Sequence, residues 1–202
     1  MAQAPSTLAV YEDLLHLSED ARAEIVNGQI IVQPAPLPRH SRAQRSLGRF
    51  VGGPYDDDDG VGGPGGWWIF VEVDVRLAPH DIVRPDLAGW RRERLPKPGT
   101  IRPIDIAPDW ICEVLSPSTA TLDRVTKRAL YARHGVKHYW IGDPEARTLE
   151  ALELNDGRWL ELGAWAAGSA ARIAPFADIE IELQRLFLPP EADPDGASAA
   201  GQ

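Results

Sequence analysis

Two acids and a lysine carry the most evident chemistry in this chain. Asp86 follows a proline in Arg84-Pro85-Asp86-Leu87, and Glu113 interrupts the apolar run Trp110-Ile111-Cys112-Glu113-Val114-Leu115. Lys127 falls two turns into the helical pattern that starts after Ser116-Pro117-Ser118-Thr119. A carboxylate inside such a strand is costly to bury unless it is ion-paired, hydrogen-bonded or metal-bound. Two acids converging on one point repel each other when empty and hold a hard divalent cation, Mg²⁺ or Mn²⁺, when filled. Residue types alone also allow a plainer arrangement: Glu113 paired with an arginine, Asp86 capping a turn, and Lys127 paired with Asp123 at i, i+4 on a solvated helix face.

The elements that must position these residues follow from pattern. Thr7 to Leu17 has helical spacing, with Ser6 or Thr7 as its cap. Ala21 to Val32 reads as a hairpin about Asn27-Gly28 and carries Glu24, while a helix with Arg42, Arg45 and Arg49 in one stripe runs to about Val51. Gly52 to Gly66 has no apolar face and predicts a mobile surface loop. Val71, Val73, Val75 and Leu77 alternate with charged residues, so Trp67 to Leu77 predicts the first core strand. Ile82 to Trp90 predicts the second, Arg91 to Pro108 a loop, and Asp109 to Leu115 a central buried strand. A helix with Leu122, Val125 and Ala129 on its apolar side then ends at Gly135, and Val136 to Gly142 returns as a strand. Thr148 to Leu154 pairs with Arg158 to Leu162 through Asn155-Asp156-Gly157, Ile179, Ile181 and Leu183 alternate once more, and residues 189–202 read as a disordered tail.

The chain of 202 residues, 44% of them hydrophobic, suits one domain over 1–188. Its single cysteine, Cys112, excludes an internal disulfide and a cysteine zinc cage and fits a reducing cytoplasm. Neither a signal peptide nor a membrane-spanning run is present in the sequence. The net charge of −9 opposes a nucleic-acid coat, yet Arg39 to Arg49 sums to +4 and Arg84 to Lys137 to +5. A basic face on an acidic chain is compatible with salt-sensitive phosphate binding. A solvated arginine stripe is the plainer reading of Arg42, Arg45 and Arg49. His40 reads as structural, Tyr131, Tyr139 and Trp140 as core packing, and His134 and His138 lack partners at zinc-ligand spacing.

The order helix, strand, strand with Pro-Asp, strand with Glu, helix, strand resembles the PD-(D/E)xK nuclease core. Four segments make the likeness specific: Glu24 to Ile30 (EIVNGQI), Arg84 to Leu87 (RPDL), Glu113 to Ser118 (EVLSPS) and Lys127 to Trp140 (KRALYARHGVKHYW). Together they resemble the Uma-two family of restriction-endonuclease-like proteins over roughly Val10 to Leu162. The resemblance implies an α/β fold with a mixed central sheet flanked by helices (αβββαβ), an N-terminal hairpin and extra C-terminal strands. It implies metal-dependent cleavage of DNA, with Asp86 and Glu113 as metal ligands and Glu24 as a further ligand or supporting acid. Leu115 stands where the wider motif has its lysine, and the resemblance transfers that role to Lys127 on the helix. By analogy of fold, cutting both strands would suit a homodimer. The rival expectation is a nuclease-fold protein that binds nucleic acid or protein with little or no hydrolysis. An RNA or nucleotide phosphodiesterase on the same scaffold is a third.

Overall fold

The computed structural model describes residues 7–18, 20–57 and 63–190. The central element is a six-stranded sheet in the order β10-β9-β8-β7-β6-β3, formed by β3 (Trp67–Val71), β6 (Leu87–Arg91), β7 (Trp110–Val114), β8 (His138–Asp143), β9 (Thr148–Asn155) and β10 (Arg158–Ala166). Within it β7 and β8 run parallel and the other neighbours antiparallel, so the sheet is mixed. A parallel pair requires a crossover, supplied by a helical segment between Ser116 and Gly135. A smaller sheet, β2-β1-β5-β4, is built from β1 (Arg22–Val26), β2 (Gln29–Gln33), β4 (Val75–Ala78) and β5 (Asp81–Val83). β11 (Ala170–Ala171) and β12 (Ile181–Glu182) pair near the C-terminus.

Alternation along β7 divides the core. Trp110, Cys112 and Val114 pack with Leu87, Trp140, Phe176 and the apolar face of α2 (Pro38–Tyr55), while Ile111 packs on the other face with Tyr139, Ile141, Leu130 and Tyr131. On α2 the buried positions His40, Gln44, Leu47 and Val51 recur at i, i+4, i+7, i+11, the spacing of one helix face. Both turn residues of the β1–β2 hairpin adopt the left-handed conformation a two-residue turn demands, at φ 51° for Asn27 and 75° for Gly28.

Several boundaries differ from those the pattern predicts. The first helix, α1, covers only Tyr11–Leu15, capped at Val10 by the Asp13 carboxylate rather than by Thr7, and Ser6 lies outside the described residues. The continuous alternation from Trp67 to Leu77 is two strands in two sheets: at Glu72 the chain turns with φ 52° and leaves the large sheet for the small one. Val71 is accordingly 55% exposed, and the buried residues of β3 are Trp67 and Ile69. Ile82 to Trp90 divides likewise, because Pro85 cannot donate to a ladder and Arg84-Pro85-Asp86 carries the chain back from β5 to β6. α2 continues through Gly52, Gly53 and Pro54 to buried Tyr55, four residues into the stretch expected to be a loop. Residues 58–62 of that loop, and 191–202 of the expected tail, lie outside the described residues.

The crossover corrects the helix reading most. Leu122–Lys127 is a π-helical segment that runs into α3 (Arg128–Arg133). Val125 is 63% exposed, and the buried positions are Asp123, Lys127, Leu130 and Tyr131. An inserted π turn re-phases a helix, so the 3.6-residue pattern marks the wrong face.

Candidate active site

Asp86 and Glu113 meet where the two sheets join. Leu87 pairs with Cys112, which sets Asp86 beside the end of β7, and the Val114 amide donates to Asp86 Oδ2 at 2.7 Å. The Asp86 amide in turn donates to Glu113 Oε2 at 3.3 Å. Glu113 faces the crossover helix, where Lys127 Nζ lies 3.0 Å from its Oε1 and the Tyr131 hydroxyl donates to the same oxygen at 2.5 Å. Lys127 is 1% exposed and also lies 2.8 Å from Glu24 Oε2 and 3.4 Å from Asp123 Oδ1. The structure therefore brings together all four residues singled out from sequence: Glu24, Asp86, Glu113 and Lys127.

Lys127 does pair with Asp123, as the plainer reading expects, but in the interior rather than on a solvated face. Glu24 is buried rather than an exposed strand residue, and its Oε1 accepts the Arg84 amide at 2.7 Å while Oε2 accepts Gln33 Nε2 at 2.6 Å. It thus fixes the turn that delivers Asp86.

Other contributors were missed from sequence. Tyr131 packs on Tyr139, as core packing requires, and also bonds Glu113. His40 Nε2 sits 3.2 Å from Asp86 Oδ2, Gln44 donates to the Asp86 carbonyl at 3.2 Å, and Arg22 lies 3.8 Å from Asp86 Oδ1. The signal available was the four-residue spacing of Asp123, Lys127 and Tyr131, which places acid, base and phenol along one stripe.

Three carboxylates surround one buried ammonium, and a fourth, Asp86, lies beside Glu113. Burial pushes Glu113 well above the usual carboxylate range; Lys127 pulls it down, while Asp123, Asp86 and Glu24 push it further up. Burial also raises Asp123, against the pull of Lys127. Burial opposes the Lys127 charge, yet Glu113, Glu24 and Asp123 hold its ammonium well above its ordinary value. The pocket these groups line has a volume of about 260 Å³ and extends past Arg22, His40 and the Ser116–Thr119 turn.

Asp86 and Glu113 supply hard oxygen donors of the kind a divalent cation takes. Each carboxylate is anchored through one oxygen, Glu113 Oε1 and Asp86 Oδ2, and the other is held loosely: Oε2 at 3.3 Å by the Asp86 amide, Oδ1 at 3.5 Å by Gln44. No group of three or more His, Cys, Asp or Glu side chains stands at metal-holding spacing among the described residues. Two carboxylates, with the remaining positions left to water and phosphate oxygens, are what Mg²⁺ commonly takes.

A mixed sheet with an acid pair at its seam and a lysine on the crossover helix defines a nuclease-like α/β protein. The chain belongs to the Uma2 family, described as "putative restriction endonuclease", whose model matches residues 9–184. Among solved structures, the fold is similar to a crystal structure described as a "putative nuclease belonging to DUF820" from Anabaena variabilis ATCC 29413, with TM-score 0.68 and 23% identity over 89% of this chain and 97% of that one. No curated protein matches the sequence. No helix among the described residues is long and apolar enough to cross a membrane.

Proposed function

We propose that this protein is a metal-dependent endonuclease that hydrolyses phosphodiester bonds of DNA. The observation that carries the reading is the buried pair Asp86 and Glu113, each anchored through one oxygen and lining a pocket with Lys127. Bound Mg²⁺ or Mn²⁺ supplies Lewis acidity and a water of lowered pKa. Asp86 and Glu113 would hold it. Lys127, kept protonated by three carboxylates, is unsuited to act as a base. Its role is to set the Glu113 carboxylate and to place a fixed positive charge where the phosphate gains negative charge. Glu24 and Tyr131 orient that pair, and Ser116 and Ser118 put hydroxyls at the pocket mouth. Cutting both strands with one site per chain is best served by a homodimer.

Purified protein incubated with plasmid and with single-stranded DNA in Mg²⁺ or Mn²⁺ is expected to cleave, and Asp86→Ala to abolish cleavage. Undiminished cleavage by Asp86→Ala would overturn the site, and no cleavage by the wild type under any of these conditions would overturn the reaction.

One observation favours a second reading, a nuclease-fold module that binds without hydrolysis. The three N–H donors of Lys127 face three carboxylates, leaving none for a substrate. Thermal stabilisation by Mg²⁺ that disappears in Glu113→Gln supports the metal site; no stabilisation supports the module.

A further inference from the structure

The face of α2 turned away from His40 and Gln44 carries a second concentration of charge. Arg42, Arg45 and Arg49, with Arg185 from the 3₁₀ turn Leu183–Arg185, line a hollow of about 290 Å³ beside Phe50. No acid is among its lining residues. Arg185 pairs with Glu182 at 3.1 Å and lies over the Phe50 ring at 5.3 Å, and Arg42 donates through Nη2 to the Arg185 carbonyl at 3.2 Å. The Arg42 Nε is buried with no hydrogen-bond partner. Arg45 and Arg49 are exposed and have no ion-pair or hydrogen-bond partner among the described residues.

Four guanidinium groups gathered around one hollow repel each other, and of the four only Arg185 is ion-paired with an acid among the described residues. A chain of net charge −9 does not assemble such a group by average composition. Guanidinium forks match phosphate oxygens bidentately. The extent of the row distinguishes a strand from a single small anion: seven residues of helix separate Arg42 from Arg49, about 10 Å along the axis. α2 links the row to the acid pocket, since its other face presents His40 and Gln44 to Asp86. Arg45 and Arg49 line a neighbouring groove of about 500 Å³ that reaches Gln44 and Leu87, and Gln44 bonds the Asp86 carbonyl. Asp56 and Asp57 lie on the same groove and turn a polyanion away from that part of it.

We propose that the arginine row of α2 binds the phosphodiester backbone of a nucleic-acid strand whose neighbouring portion enters the Asp86–Glu113 pocket. The identity of the strand rests on the nuclease reading; the anion site rests on the arginines alone.

The test is anisotropy of labelled duplex and single-stranded oligonucleotides in EDTA, where metal-dependent cleavage cannot contribute, across roughly 50 to 200 mM salt. Wild type is compared with Arg45→Ala/Arg49→Ala and with Arg158→Ala at the exposed tip of a hairpin far along the sequence. The double variant is expected to bind more weakly whatever the oligonucleotide sequence and to lower the slope of log K against log salt by about two. Arg158→Ala is expected to keep the wild-type slope. An unchanged slope in the double variant overturns the site, as does an equal fall in Arg158→Ala, which would mark a general charge effect. Loss of thermal stabilisation by inorganic phosphate in the double variant, with oligonucleotide binding intact, overturns the strand and leaves a small-anion site. Retained binding in a protein that never cleaves would reject the nuclease reading while leaving the arginine site standing.

Discussion

At the scale of single residues, Lys127 is the keystone of the buried charge. Replacing it by Met leaves Glu24, Glu113 and Asp123 facing one another without a cation, and removing one member of a buried ion pair costs about 3–5 kcal/mol. We expect urea denaturation of Lys127→Met to show a loss in that range, and Lys127→Met/Glu113→Gln to recover part of it, because the two positions are in contact. Tyr131→Phe removes the shortest bond to Glu113 and should cost about 1–3 kcal/mol of stability. If Glu113 must be held in place for cleavage, the same variant lowers kcat with little effect on KM. Glu113 was legible because a lone acid in an apolar strand needs a partner. Lys127 was legible only through the family resemblance, because a lysine four residues from an aspartate on a helix reads as a surface pair until its burial is known.

At the scale of elements, the chain changes sheets at Glu72 to Asp74 and at Arg84 to Asp86, the second of which lines the pocket. Asp74 joins them: Arg84 Nε lies 2.7 Å from its Oδ1 and Arg102 Nε 3.1 Å from its Oδ2, with the Tyr11 hydroxyl also donating to Oδ2. Burial alone would raise the Asp74 carboxyl, but Arg84 and Arg102 outweigh it and hold it below the usual range. A carboxyl lowered in the folded state contributes stability above its unfolded pKa of about 3.9, and loses it as pH falls through the folded value. Asp74→Asn should therefore cost about 2–3 kcal/mol at pH 7, with the gap to wild type closing at pH below about 4. Denaturation midpoints measured across that range check both parts. The first sheet change was not legible, since hydrophobic alternation runs on unbroken through Val71, Val73 and Val75 while β4 pairs with β5 and Val75 bridges to Ile104; the second had a signal in Pro85 that the pattern reading passed over. The hairpins were legible, since Asn27-Gly28 and Asp156-Gly157 encode their turns locally.

At the scale of the whole molecule, the order of elements and the acid pair were readable, because a central strand buried on both faces leaves a long apolar run. The π segment was not, since a 3.6-residue pattern carries no mark of an inserted turn. Cys112 reports on the intact structure: burial and the nearby Asp86 and Glu113 carboxylates push its thiol well above its ordinary value. A thiol reagent is expected to label it only as the protein unfolds, at a rate that follows denaturant concentration. The buried ammonium also sets an order of events during synthesis. A ribosome delivers Glu24, Asp86, Glu113 and Asp123 before Lys127, so all these acids exist as free chain before their counter-charge does. Pairing of β6 with β7 would strand Glu113 without a cation unless it stays open to water until the crossover helix docks. Insertion of Lys127 is then the late step that closes the interior, and Lys127→Met should populate a collapsed intermediate with the crossover undocked, visible as rapid amide exchange confined to residues 116–135.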